Sequence, residues 1–143
     1  MPRAVKIVLL LMAVLAVTHV LVPAYMATHS SALALQISQD HPELSASQIA
    51  NSVDLALRSA FIFHAVLMIA LVALAFAFGH RHRWSRKVIT TLSVISLIAS
   101  LVSWRSSPMF HGVIVVTNVL LVVLVAILWV HPDVDRFLRT DPS

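Results

Sequence analysis

Four long apolar runs decide what this chain can become. They cover residues 5–27, 57–79, 88–104 and 109–130, and formal charge touches them only near two edges, at Lys6 and Arg58. A helix needs about 20 residues to cross a hydrocarbon core of about 30 Å. Each run approaches or exceeds that length, and together they take up most of the 143 residues. Only 11% of residues are charged, against about 25% in a soluble domain. Too little polar surface remains for a body facing water on all sides. The reading is an all-α, integral membrane four-helix bundle forming a single membrane domain over residues 1–143.

The first run resembles a secretory signal in its basic start, Arg3 and Lys6. Its apolar stretch is longer than a signal core, and the small-residue triplet at Ala32 lies too far downstream. It is therefore read as a span. Pro23 kinks such a helix without ending it, because neighbouring helices can satisfy the carbonyl it frees.

Residues 29–56 are the one sizeable polar segment. Asp40-His41-Pro42 breaks a weak helical pattern. Ser45 with Gln48 then reads as a capping box, and Asp54 and Arg58 stand at i,i+4 spacing. No breaker follows before Gly79. The second helix is predicted to run over residues 45–79, about 50 Å at 1.5 Å per residue. Its first turns would project from the membrane as part of an extracytoplasmic helical extension. Leu33, Leu35, Ile37, Leu44, Ile49 and Val53 give that extension an apolar side. Such a side must pack on itself as a helical hairpin, on the membrane surface, or on a partner.

Residues 80–87 form a dense basic segment, read as a cytoplasmic loop. Arg105 to Pro108 reads as a tight turn. Residues 131–143 form a tail in which Val134, Phe137 and Leu138 are expected to face lipid from a short surface helix. Of the ten Lys and Arg, eight fall on one side (Arg3, Lys6, Arg81, Arg83, Arg86, Lys87, Arg136, Arg139) and two, Arg58 and Arg105, on the other. The positive-inside rule places both termini in the cytoplasm of a multi-pass plasma-membrane protein. Tyr25 and Trp104 at outer helix ends, with Trp84 and Trp129 at inner ones, suit interfacial aromatic belts. The net charge of +4 thus sets topology and attracts lipid headgroups, with Arg81, Arg83, Arg86 and Lys87 the lipid-facing candidates. It does not mark nucleic-acid binding.

Cysteine is absent, which excludes disulfides, thiolate nucleophiles and cysteine-held metals. No phosphate-binding loop, dinucleotide fingerprint or zinc-protease motif is present. Among eight histidines, His19 and His64 lie inside apolar runs. By helix rise both stand about 5 Å outside the midplane, as do Ser100 and Asn118. These four predict a polar intramembrane layer, with His111 just above it. Its plain role is to fix helix packing. Its sharper role is a ligand site, because an ionisable residue inside a membrane is a functional candidate. His19 and His64 would then bind haem, hold a metal with help from Asn118, relay protons or sense pH. Ser93, Ser96, Ser100 and Ser103 share one helix face, read as a packing seam or, alternatively, a pore lining.

The long outer segment at 44–58, the Arg83-Trp84-Ser85-Arg86 turn and the ending Pro132 with Phe137-Leu138-Arg139 resemble a group of small four-span membrane proteins common in actinobacteria. The resemblance covers most of the chain and implies the four-span layout. It carries no activity or catalytic residues. A histidine-rich basic segment and intramembrane histidines depart from the group. The leading expectation is a non-enzymatic accessory or interaction subunit of a larger plasma-membrane complex, meeting lipids and other membrane subunits or itself. Alternatives are the His19/His64 ligand site and a small oligomeric transporter or channel.

Overall fold

The computed structural model describes residues 1–106 and 110–139. Among these the chain is all-α, with six helices: α1 Arg3–Thr28, α2 Ser30–Asp40, α3 Ala46–Gly79, α4 Arg83–Ser106, α5 His111–Val130 and α6 Pro132–Arg139. α1, α3, α4 and α5 are long and apolar enough to cross a membrane. Much of their exterior is apolar, from Leu10 and Leu21 to Phe61, Phe76, Val102 and Val130.

Local chemistry explains the boundaries. Ser45 starts α3 through a reciprocal capping box. Its backbone N–H donates to Gln48 Oε1 at 2.8 Å, and the Gln48 N–H donates to Ser45 Oγ at 3.4 Å. The Asp54–Arg58 pair forms on the same helix at 2.9 Å. α3 ends in a Schellman motif: the Arg81 N–H bonds the Phe78 carbonyl and the His82 N–H bonds the Ala77 carbonyl. Arg81 takes the left-handed position, with φ 63°. Pro132 opens α6, where a missing N–H costs least, and the His131 ring accepts from the Asp133 N–H at 3.3 Å.

Three expectations change. The basic segment is mostly helix: Arg83, Arg86 and Lys87 belong to the first turns of α4, leaving only His80 to His82 as connection. The tight turn does not begin at Arg105, which lies in α4; Ser107, Pro108 and Met109 fall outside the described residues. Nor do Val134, Phe137 and Leu138 face lipid. They are 0%, 7% and 6% exposed, because α6 folds back onto protein and spends its apolar side there.

The chain divides into two compact units, residues 1–16 with 70–143, and residues 17–69. The first holds the tight core. Its buried positions on α1 (Val5, Val8, Met12, Leu15), α3 (Leu71, Leu74, Phe78) and α5 (Leu121, Leu124, Leu128) recur at spacings of three and four, the pattern of helices packed nearly parallel to one another. α4 contributes Ile89 with the small Ser85 and Ser93. The second unit contains the end of α1, all of α2 and most of α3. Its one buried residue is Pro23, while Leu33, Ile37, Leu44, Ile49 and Val53 are half-buried and Leu35 and Leu55 lie exposed.

Candidate functional site

His19 on α1 and His64 on α3 meet in the second unit. Their Nδ1 atoms are 2.8 Å apart and their ring centroids 5.1 Å apart, tilted by 40°. Phe63 sets its ring edge-on to His64 at 5.5 Å. Both imidazoles are half-buried. Two neutral rings can bond this way in one arrangement only: one carries its proton on Nδ1 and donates, while the other carries it on Nε2 and accepts. The pair therefore offers one bare Nε2 and one Nε2–H at its ends.

A backbone feature adds to this polarity. Pro23 has no N–H, so the carbonyl four residues back, that of His19, loses its helical partner. The freed carbonyl and the imidazole pair thus belong to the same turn of α1. The offset of four from His19 to Pro23 was open to reading in the sequence, although the facing ring was not.

The donor set suits a proton better than a metal. With metal–nitrogen bonds of about 2.0–2.1 Å, ligand atoms in a tetrahedral site stand roughly 3.3 Å apart and opposed haem ligands roughly 4 Å apart. The observed 2.8 Å leaves no room for a metal between the two Nδ1 atoms. No group of three or more His, Asp or Glu able to hold a metal occurs among the described residues.

Ser100 and Asn118 form a separate pair in the first unit. The Ser100 hydroxyl lies 2.8 Å from Asn118 Oδ1 and 2.7 Å from the Leu97 carbonyl. Nearby along the same hairpin, the His111 ring Nε2–H donates to the Trp104 carbonyl at 2.8 Å and the two rings stack at 4.0 Å. At the other end Trp129 Nε1–H donates to Thr90 Oγ1 at 2.8 Å. The paired numbers rise on α4 as they fall on α5, so these bonds stitch an antiparallel helix pair. Ser93 is buried, and the serine face is this seam. Of the four residues expected in a polar layer, His19 and His64 pair within the second unit and Ser100 and Asn118 pair within the first.

The basic candidates have mostly structural partners. Arg83 donates through Nε to the Leu138 carbonyl and through Nη2 to the Arg139 carbonyl, both at 3.1 Å. Arg86 donates to Asp135 Oδ1 at 3.1 Å, and its guanidinium lies 3.9 Å from the Trp129 ring centroid. Arg81 sits over the Phe137 ring at 5.0 Å. Three arginines thereby hold α6: Arg83 on its carbonyl end, where a cation is favoured, Arg86 on its Asp135 carboxylate and Arg81 on its Phe137 ring. Lys87 is exposed. This clamp went unseen in the sequence, although its signal was there: Asp133 and Asp135, with Val134, Phe137 and Leu138, give the tail one acidic and one apolar side on the basic end of the chain.

No family model, no curated protein and no solved structure matches the chain.

Proposed function

We propose that this chain is a multi-pass plasma-membrane protein that acts without catalysis, as an accessory or interaction subunit of a larger membrane complex. In this reading α1, α3, α4 and α5 span the bilayer, both termini and the α6 clamp lie in the cytoplasm, and α2 with the first turns of α3 forms an extracytoplasmic extension. Eight of ten basic residues on one side support the orientation. The layout also supports kinship with the actinobacterial four-span group. Membrane lipids and other membrane subunits, or further copies of the chain, are the partners that fit; nucleic acid is not.

The observation that carries the interaction role is α2. None of its 11 residues is buried, though Leu33, Ile37 and the exposed Leu35 give it an apolar character. An apolar helix that packs so little of itself inside its own unit is suited to contact something else. The test is affinity purification in mild detergent of the wild type and a Leu33→Ser/Leu35→Ser/Ile37→Ser variant. The expected result is a larger complex with the wild type and its loss with the variant. Recovery of this chain alone in both cases sinks the role.

A second reading is a His-based site within the spans. What favours it is the direct bond between His19 and His64.

A further inference from the structure

We propose that His19 and His64 form a proton-transfer dyad, a binding site for one mobile proton that passes between the two outward Nε2 ends. The inference rests on α1 and α3 being membrane spans and deepens the His-based reading by naming its ligand class.

The geometry supplies the central step. At 2.8 Å between Nδ1 atoms, a proton moving from ring to ring travels a fraction of an ångström along a bond already made. A proton taken from hydronium by the bare Nε2 of the first ring makes that ring imidazolium. Its Nδ1–H bond then breaks as a new N–H bond forms on the facing Nδ1, and the positive charge moves to the second ring. The second ring releases its Nε2 proton to water and becomes neutral. One proton has entered at one end and one has left at the other. The rings have exchanged tautomers, and the Nδ1–H···Nδ1 bond persists with its direction reversed.

That reversal limits the device. After one passage the bare Nε2 is on the ring that released the proton. The next proton is accepted there and travels back. The dyad is a two-position toggle, and repeated transfer in one direction requires a ring to turn and break the bond.

On α1 the nearest titratable groups along the helix are Lys6 and Tyr25, and on α3 they are Arg58 and His80. Phe63 presents an apolar edge. On α2 and its junction, His29 bonds the Tyr25 carbonyl at 3.0 Å and the Thr28 hydroxyl at 3.0 Å, and Asp40 stands at the far end of α2. In this proposal water gives and takes the proton at the Nε2 ends, and the His19 carbonyl, deprived of its usual helical donor by Pro23, is a further acceptor on the same turn.

The test is nitrogen NMR of the full chain, labelled with 15N-histidine and reconstituted in phosphatidylcholine bilayers. The signals are assigned with His19→Gln and His64→Gln, whose amides still fill the site and can bond the remaining ring. The expected result is a nitrogen–nitrogen coupling between the two Nδ1 atoms, with both signals averaged between protonated and bare positions. Either Gln variant should abolish the coupling and leave the remaining histidine in one tautomer. Coupling without averaging means a static bond and overturns the proposal. Averaging without coupling means two independent rings and overturns it equally. Flotation of the same vesicles is read first: protein that does not float with lipid refutes the membrane reading itself, before the dyad is in question. Helix content by circular dichroism checks that each variant is folded.

Discussion

At the scale of single residues, two pairs of polar groups meet across the apolar helices, His19 with His64 and Ser100 with Asn118. Ser100 and Asn118 show the effect in its plainest form. Interhelical bonds of this kind are worth about 0.6 kcal/mol on average within membranes and rarely more than about 1.7. A Ser100→Ala/Asn118→Ala double-mutant cycle, followed by unfolding in detergent, should therefore give a coupling of about 0.6 kcal/mol; additive effects would show that the bond contributes nothing. Arg81 is different, because its backbone works against it. A left-handed conformation costs a side-chain-bearing residue about 1–2 kcal/mol, and the Phe137 contact returns about 0.5–1 kcal/mol if exposed. Arg81→Gly removes both effects, whereas Arg81→Ala removes only the contact. The glycine variant should outlast the alanine variant by about 1 kcal/mol in thermal unfolding, and equal stabilities would mean the strain is absent. The helical positions of His19, His64, Ser100 and Asn118 were readable from sequence, because depth follows from helix rise. Which of them touch was not, because azimuth around each helix depends on packing that no local pattern specifies.

At the scale of elements, the clearest case is α6. Eight residues are too few to be stable as a helix alone, yet α6 has capping at its start, acidic residues in its first turn, arginines in its last, and three arginines from the α3–α4 region against it. Its apolar side supplies the rest. Phe137→Ala should destabilise the docked helix by about 3 kcal/mol, read as faster amide exchange across residues 134–139 with α3 and α5 little changed. Unchanged exchange would mean that α6 is held by the arginines alone. The sequence made α1, α3 and α5 legible through long apolar runs, and the start of α3 through the Ser45–Gln48 capping box. It misplaced the start of α4, because a run of basic residues reads as loop when judged by polarity. Arg83 and Arg86 are good helix formers, and their side chains are turned toward a partner 50 residues later.

At the scale of the whole molecule, orientation is the property on which most else depends. The absence of cysteine makes it directly measurable. Single cysteines at the exposed positions Ser47 and Lys87 should behave oppositely in intact cells: Ser47→Cys labelled by an impermeant maleimide, Lys87→Cys protected until the membrane is opened. The reverse pattern would overturn the positive-inside assignment. The hydroxyl-rich seam of α4 bears on how the protein is made. α4 is the least apolar of the four long helices, and Thr90 and Ser100 find their partners, Trp129 and Asn118, on α5. During synthesis α4 emerges from the ribosome before those partners exist. Alone, Thr90 and Ser100 reach only carbonyls of their own helix, those of Arg86 and Leu97, and α4 would have to enter lipid on the weakest apolar character of the four. α4 is therefore expected to wait at the insertion machinery and enter the bilayer together with α5. In a translation–insertion assay α4 alone should integrate poorly and the α4–α5 hairpin efficiently, while full integration of α4 by itself would show that no waiting is needed.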